Sequence, residues 1–255
     1  MRVETTDSTN TLLKKLIAQQ PIANSQQLKF VYAGYQTAGR GQTGNGWESE
    51  ANKNLLCSIL LPPRANVFEL NMAVSVAVER LIRSVFCQQS GLYSVLSIKW
   101  PNDIYWQDRK IAGILIENAI IGNELKYSIA GIGLNVNQTE WHSGAPNPVS
   151  LKQITGKDYD IDELMEHLYA EVQKALNEDV WAYYKSHLYR HEGFWPFVER
   201  EVTTAPTMNA NSQEPIANSQ FLARIKDILP TGEIVLADQQ GKERIYHFKQ
   251  IRYVI

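Results

Sequence analysis

A glycine-rich polar loop carries the first residues of this 255-residue sequence that can do chemistry. It spans Gly39–Trp47 and reads GRGQTGNGW. The glycines at 39, 41 and 44 formally satisfy the dinucleotide fingerprint G-x-G-x-x-G, but that fingerprint opens a helix, whereas this loop leads into another predicted strand. We therefore reject a dinucleotide site. The backbone N–H groups and Arg40 can instead face an anionic ligand, although a plain surface loop fits the glycine density equally well.

Two further segments place charged groups at the ends of predicted strands. Lys99–Asp103, KWPND, offers Asp103 as a ligand for Mg²⁺ or as an acceptor of a proton. Arg109–Glu117, RKIAGILIE, offers Lys110 as a cation that can offset carboxylate and phosphate charge, and Gly113 permits close approach of a ligand. Each segment taken alone also has an explanation without chemistry. Lys99–Asp103 can be an ordinary Pro-Asn-Asp turn, and Arg109–Glu117 can be a solvated hairpin corner.

The segment Gly131–Asn137, GIGLNVN, follows another predicted strand. Its glycines allow a ligand close to the backbone, and its asparagines can hydrogen-bond phosphate or metal-bound water. The five histidines form no pattern with metal-ligand spacing, so the sequence predicts no zinc site.

Hydrophobic periodicity indicates the elements that must hold these segments. Ser8, Thr9 or Asn10 can cap a first helix whose apolar stripe runs from Leu12 to Ile17, and Pro21 ends it. The other predicted elements are strands Lys29–Tyr35 and Asn54–Leu61, a helix over Leu70–Val85, strands Ser94–Lys99, Ile104–Trp106, Ile111–Glu117 and Lys126–Ala130, and a helix from Asp160 to about Tyr189.

The C-terminal stretch has a different pattern. Phe221–Ile255 shows short strands separated by turn residues, which is typical of a small β-barrel. The polar segment Thr203–Asn218 before it has the composition of a linker. We therefore predict two domains, residues 1–200 and residues 201–255, with the segments described above all in the first.

Composition argues against several classes of protein. The net charge of -2 lacks the basic balance of a nucleic-acid-binding protein. The N-terminal residues do not form a secretory signal, and apolar runs such as Leu55–Leu61 are too short to span a bilayer. Cys57 and Cys87 lie in apolar runs, which predicts buried, reduced thiols and a cytoplasmic protein.

These segments, in this order, closely resemble the catalytic domain of biotin protein ligases. The family pattern is a D-S-T-N start, matched by Asp7–Asn10, a G-R-G loop leading to a tryptophan, then K-W-P-N-D, R-K-x-x-G-I-L-x-E and G-x-G-x-N. The match covers about Thr6 to Asn137, and five ordered segments are far more specific than any one alone. The resemblance implies an α+β fold with a mixed central sheet and helices, like a class II synthetase, plus a small C-terminal SH3-like β-barrel.

The resemblance also implies roles for individual residues. Those that match the family's biotin-binding positions are Ser8, Thr9, Asn10, Gln36, Arg40, Gly41, Gln42, Lys110 and Gly113. Those that match nucleotide-binding positions are Trp47, Lys99, Asn102, Asp103 and Asn135. The expected catalytic residues are Arg40, Lys110 and Asp103, and Asp103 is also the expected Mg²⁺ ligand.

The activity implied is ATP-dependent biotin ligation. Biotin and ATP form biotinyl-5′-AMP, with Mg²⁺ as cofactor, and the biotinyl group then passes to a lysine on the biotin carboxyl carrier domain of a carboxylase. A lipoate ligase or octanoyl transferase is one alternative, and a non-enzymatic biotin- or nucleotide-binding regulator is another. The G-R-G loop with K-W-P-N-D favours biotin, and the complete set of matched site residues favours an enzyme.

Two features depart from the repressor-type ligases that the sequence resembles. Their loop reads G-R-G-R, where this sequence has Gln42, which predicts weaker retention of the adenylate. Their N-terminal helix-turn-helix has no room before Thr6, so we expect no DNA binding. A homodimer stays open as an alternative, since the strand Ile111–Glu117 can either pair with a second subunit or have a covered edge.

Overall fold

The computed structural model describes residues 1–19, 30–42, 45–87, 91–122, 124–145, 147–200 and 220–255. The predicted linker Thr203–Asn218 and the predicted helix stop at Pro21 lie outside these residues. The described chain forms two compact units, Met1–His187 and Leu188–Ile255. None of the helices in these ranges is both long enough and apolar enough to cross a membrane.

The first unit is built around one mixed sheet. Its strands are β1 (Arg2–Thr6), β2 (Phe30–Gln36), β3 (Leu55–Leu61), β4 (Leu96–Lys99), β5 (Asp103–Trp106), β6 (Arg109–Ile121) and β7 (Glu124–Leu134). They lie in the order β1-β2-β3-β7-β6-β5-β4; β1 is parallel to β2, and the other neighbouring pairs are antiparallel. The predicted α+β class with a mixed central sheet is confirmed.

The helices of the first unit are α1 (Thr9–Gln19), α2 (Val67–Phe86), α3 (Leu151–Thr155), α4 (Ile161–Ala175) and α5 (Trp181–Ser186). Helices α1, α2 and α4 contact the sheet, and α5 packs against α2. Helix α1 buries Leu13 and Ile17 against Val31, Leu60 and Ile129 of the sheet. This contact holds the first turn of α1, with Thr9 and Asn10, close to the strands.

One helical prediction needs correction, and one helix was not predicted. The helix predicted from Asp160 to about Tyr189 is interrupted after Ala175, and α5 covers only part of the remainder. Helix α3 was not predicted, because a single turn has no apolar periodicity to detect. Its start is nevertheless marked by a capping box between Ser150 and Gln153.

Strands β6 and β7 form a hairpin longer than the sequence predicted. Their pairing runs from Ala112 opposite Leu134 to Ile121 opposite Glu124. The outer end escaped prediction because Ile120 and Ile121 are adjacent exposed residues, so the polar–apolar alternation of a half-buried strand is absent there.

The two cysteines lie in different surroundings. Cys57 is buried in β3, and burial raises the pKa of its thiol to about 12. Cys87 is exposed, so the prediction that both thiols are buried was wrong for this residue. It is the C-terminal cap of α2 and therefore lies beyond the buried face of that helix.

The second unit contains β8 (Trp195–Glu199), β9 (Gln220–Ile228), β10 (Ile234–Asp238), β11 (Glu243–Tyr246) and β12 (Ile251–Tyr253). They form an antiparallel sheet in the order β11-β10-β9-β8-β12. A second, antiparallel sheet is therefore present at the C-terminus. The compact unit that contains it begins at Leu188, and β8 belongs to it through its pairing with β9 and β12. The division into domains at residue 200 stays a prediction.

Candidate active site

Glycines leave part of one face of the large sheet without side chains. Gly113 of β6 lies opposite Gly133 of β7. Two residues along, Gly131 of β7 stands between Leu115 of β6 and Ser58 of β3. Residues two apart on a strand share a face, so these glycines leave a shallow depression where other side chains reach the backbone.

A chain of polar contacts crosses this face at the start of α1, where Ser8, Thr9 and Asn10 are all buried. The side-chain oxygen of Gln36 accepts hydrogen bonds from the backbone N–H of Thr9 at 2.8 Å and from its hydroxyl at 3.1 Å. Ser58 Oγ lies 2.7 Å from Thr9 Oγ1 and 2.5 Å from Asn10 Oδ1. Because Thr9 occupies the oxygen of Gln36, this amide presents its NH₂ group as a donor.

The carboxylate of Glu117 closes that chain of contacts. It accepts from Asn10 Nδ2 at 2.5 Å and from Lys14 Nζ at 2.9 Å, and Arg40 Nη2 lies 3.9 Å away. Desolvation acts to raise the pKa of Glu117, but the hydrogen bonds from Lys14 and Asn10 outweigh it and hold the pKa below its usual value. Arg40 also donates to Thr11 Oγ1 at 3.0 Å, so the arginine ties the glycine loop to α1.

The glycines of the depression are in close contact with side chains above them. A Cβ atom on Gly131 would lie 2.5 Å from Asn10 Oδ1. On Gly113 and Gly133 it would lie 2.8 Å and 2.4 Å from ring atoms of Trp47. The indole of Trp47 therefore covers the Gly113–Gly133 pair, and its Nε1 is buried without a hydrogen-bond partner among the described residues.

Lys110 and Asp103 meet beside this indole. Lys110 Nζ lies 2.8 Å from Asp103 Oδ1, and both side chains are 30% exposed. The same ammonium lies 5.7 Å from the centroid of the Trp47 ring and 3.2 Å from the position of a Cβ on Gly113. The backbone N–H of Lys110 donates to the carbonyl of Asn147 at 2.8 Å. Two of the predicted catalytic residues thus form an ion pair at the edge of the glycine-lined depression.

Two buried asparagines each leave a side-chain oxygen without a partner in the described part of the chain. Asn135 Nδ2 donates to the backbone carbonyl of Val149 at 3.0 Å. Asn102 Nδ2 donates to Asn71 Oδ1 at 2.8 Å. A buried polar atom without a partner costs roughly 1–3 kcal/mol, so these two oxygens are candidates for contact with a ligand.

The two predicted catalytic cations are held by different carboxylates. Arg40 lies near Glu117, and Lys110 pairs with Asp103. A ligand that carries negative charge must therefore compete with both carboxylates to engage both cations.

Two other predicted site residues make contacts that the motifs do not reveal. The ammonium of Lys99 lies 3.1 Å from the hydroxyl of Tyr105 and 4.7 Å from the centroid of its ring. The side chain of Gln42 makes no hydrogen bond to the described residues, while its backbone carbonyl accepts the N–H of Asn45 at 2.9 Å. The backbone N–H of Gly41 in turn donates to the carbonyl of Asn45 at 2.8 Å.

Sequence reasoning overlooked several residues that support this site. Glu48, next to Trp47, accepts the backbone N–H groups of His142 and Ser143 at 2.6 Å and 2.8 Å and so anchors the loop after β7. No pattern marks Glu48, because its partners are backbone groups distant in the sequence. Ser58 was detectable as the hydroxyl residue in the otherwise apolar run of β3.

Comparison with known proteins identifies the family. The model of the biotin/lipoate A/B protein ligase family matches residues 3–135, which is more than half of the chain. This chain belongs to that ligase family. A curated relative, the biotin–[acetyl-CoA-carboxylase] ligase of Paracoccus denitrificans, is 32% identical over 167 residues, which cover 64% of this chain and 67% of that protein.

Longer ligases share the same region. The bifunctional ligase/repressor BirA of Bacillus subtilis is 26% identical over 228 residues, which cover 88% of this chain and 66% of BirA, just under two thirds of its length. The biotin protein ligase from Aquifex aeolicus, solved in complex with biotin and ATP, has the same fold, with a TM-score of 0.71, 22% identity and coverage of 100% of this chain and 98% of that one. In this member of the ligase family, the matched segment includes the glycine depression and the Lys110–Asp103 pair.

Proposed function

We propose that this member of the ligase family is an ATP-dependent biotin protein ligase. The observation that carries the proposal is the glycine-lined depression, with Asn10 over Gly131, the amide of Gln36 bonded to Thr9, and the ammonium of Lys110 beside Gly113. Biotin has matching groups, namely a polar ureido ring, an apolar middle and a carboxylate. The relative from Paracoccus denitrificans, named as a biotin ligase, supports the choice of substrate.

Each part of biotin has a matching partner in the depression. The NH₂ group of Gln36 donates to the ureido carbonyl, since its own oxygen is occupied by Thr9. The apolar middle of biotin packs against the indole of Trp47, which covers the Gly113–Gly133 pair. The carboxylate then points towards Lys110, where its charge is compensated.

The first step joins biotin to the nucleotide. A carboxylate oxygen of biotin attacks the α-phosphorus of ATP, and the bond from that phosphorus to the bridging oxygen of pyrophosphate breaks. Negative charge spreads over the phosphoryl oxygens, and Lys110 and Arg40 stabilise it. For this, Lys110 exchanges Asp103 for a ligand oxygen, and Arg40 moves its guanidinium from Glu117 towards the ligand.

The second step transfers biotin to the carrier domain. A lysine amine attacks the acyl carbon of biotinyl-5′-AMP, the acyl–phosphate bond breaks, and AMP leaves. The amine must be neutral when it attacks. Once Lys110 contacts phosphate, the carboxylate of Asp103 is free to orient the carrier lysine and accept its proton. No covalent enzyme intermediate is required.

The residues present fit Mg²⁺ as part of a nucleotide complex. The described residues contain no group of three or more His, Cys, Asp or Glu side chains that could hold a metal ion. During the first step Asp103 would supply one carboxylate, before it acts on the carrier lysine in the second step; one or two carboxylates with phosphate oxygens are the usual Mg²⁺ ligands at nucleotide sites. Bound in this way, Mg²⁺ neutralises charge on the phosphates of ATP.

We also propose a homodimer formed through the free edge of β6. Residues Gly113–Ile121 pair with β7, and no described strand pairs with their other edge, because the pairing with β5 stops at Ala112. A free strand edge is a template for pairing with a second copy. Sedimentation of the wild type should show a concentration-dependent dimer that Ile116→Pro weakens; a monomer at every concentration would refute the proposal.

The proposed macromolecular partner is the carrier domain, without sequence-specific binding of DNA. The net charge of -2 gives no basic excess to neutralise phosphates. A salt-sensitive, sequence-dependent gel shift with a carboxylase or biotin-operon promoter would contradict this. The cytoplasmic location stays a prediction.

Incubation with ATP, Mg²⁺, labelled biotin and a biotin carboxyl carrier domain tests the activity directly. Labelled carrier should form, and omission of ATP or replacement of the acceptor lysine by arginine should abolish the label. An excess of unlabelled lipoate should leave the rate unchanged, whereas unlabelled biotin should suppress it. Transfer of lipoate but not biotin would replace the proposed activity with lipoate ligation.

A further inference from the structure

A residue of α2 that takes no part in the proposed chemistry holds the turn before Asp103. Asn71 donates its side-chain Nδ2 to the backbone carbonyl of Pro101 at 2.9 Å. Its Oδ1 accepts a hydrogen bond from Asn102 Nδ2 at 2.8 Å. From α5, Tyr184 donates its hydroxyl to the same carbonyl of Pro101 at 2.7 Å.

The chemistry of these groups fixes the direction of each hydrogen bond. A backbone carbonyl only accepts, so Asn71 turns its NH₂ group to Pro101 and its oxygen to Asn102. That oxygen also only accepts, so Asn102 turns its NH₂ group to Asn71. The group that Asn102 leaves unused is therefore its oxygen. This oxygen is buried and has no partner within the described residues, and Asn102 as a whole is 5% exposed.

We propose that Asn71 is a positioning residue for the nucleotide, because it fixes the polarity of the Asn102 amide. Asn102 then presents an acceptor that selects an N–H or O–H donor of the nucleotide. This inference rests on the proposed function, which puts ATP beside Asp103, the next residue in the chain. ATP has such donors in its adenine amino group and its ribose hydroxyls. A preset acceptor spares the ligand the cost of ordering the amide.

A double-mutant cycle tests this through the KM for ATP in biotin-dependent pyrophosphate exchange. Asn71→Ala and Asn102→Ala should each raise KM about tenfold, because each removes the preset acceptor. The double variant should be no worse than Asn102→Ala, since Asn71 acts only through Asn102. Additive effects, about a hundredfold in the double variant, would overturn the proposal.

Two further variants separate amide polarity from simple anchoring of the turn. Tyr184→Phe removes the other hydrogen bond to the Pro101 carbonyl but leaves both amides oriented. Asn71→Asp keeps an acceptor for Asn102 and loses the donor to Pro101. Both should change KM for ATP by less than about threefold. If either raises KM as much as Asn71→Ala does, Asn71 is only an anchor and the proposal is wrong. An unchanged biotin affinity, measured by calorimetry, shows that each variant is folded.

ATP analogues identify the donor. ITP lacks the adenine amino group, and 2′-deoxyATP and 3′-deoxyATP each lack one hydroxyl. The analogue that lacks the contacting donor should have a higher KM than ATP in the wild type. The KM of this analogue should rise no further in Asn102→Ala. If no analogue behaves in this way, the selection of a nucleotide donor is refuted. If the wild type catalyses no biotin-dependent exchange, the proposed function fails, and the same variants are then compared for ATP binding by calorimetry.

Discussion

The ammonium of Lys110 lies 2.8 Å from the carboxylate of Asp103, and each side chain is 30% exposed. Partly exposed ion pairs of this kind contribute only about 0–1 kcal/mol, so exchange of Asp103 for a phosphate oxygen costs Lys110 little. In the proposed reaction, the exchange also frees Asp103 for the carrier lysine. The pair therefore holds together two residues whose proposed tasks belong to different steps.

Lys110→Ala is expected to lower ATP–pyrophosphate exchange by about a hundredfold or more, because it removes a cation aimed at the developing phosphoryl charge. The free energy of unfolding, measured with urea, should change by less than about 1 kcal/mol, since the lost ion pair is partly exposed. Lys126→Ala is the matched control, because Lys126 is an exposed residue of β7 that pairs with Glu124. Exchange at the wild-type rate in Lys110→Ala would remove this lysine from the reaction.

Gly133→Ala is expected to displace the indole of Trp47, because the added Cβ would lie 2.4 Å from a ring carbon. The free energy of unfolding should fall by about 1–3 kcal/mol, as for other overpacked sites, and biotin affinity should fall with it. Gly144→Ala is the control, since a Cβ there meets nothing within 4 Å. Unchanged tryptophan fluorescence and biotin affinity in Gly133→Ala would show that the indole does not limit the site.

The elements with local signals were predictable. Helix α1 and strand β3 lie within a residue or two of their predicted starts, because an apolar stripe or a continuous apolar run marks each of them. The glycines, Lys110 and Asp103 were found for a similar reason, since each belongs to a short contiguous motif.

The residues that orient this site were not predictable in that way. Asn10 and Glu117 are 107 positions apart in the sequence, and Asn71 and Asn102 are 31 apart. Such pairs are brought together by sheet register and helix packing, which no single motif records. The sequence therefore reveals groups that do chemistry better than it reveals the neighbours that fix their direction.

Glu117→Gln is expected to destabilise the protein in a pH-dependent manner. The folded-state pKa of Glu117 is lowered from its usual 4.5, so its charged form contributes stability above about that pH. The contribution is lost as the pH falls through the lower folded-state pKa. Near neutral pH, the free energy of unfolding measured with urea should be about 1 kcal/mol lower in the variant than in the wild type. This difference should become smaller when the pH is well below the usual pKa. Glu140→Gln is an exposed control; a deficit that persists in acid would rule out the carboxylate charge as its cause.

Gln42→Arg is expected to slow release of biotinyl-5′-AMP by about threefold to tenfold. Gln42 offers a neutral amide, and its side chain makes no hydrogen bond to the described residues, so the change breaks no such contact. Arginine would add a planar cation one residue from Gly41, and charge-assisted hydrogen bonds to phosphate are roughly twice as strong as neutral ones. The measurement is a chase of the enzyme–adenylate complex with unlabelled ligand, with Gln173→Arg on α4 as the control. Release from Gln42→Arg as fast as from the wild type would show that position 42 does not face the adenylate, and that the backbone N–H groups and Arg40 alone hold it.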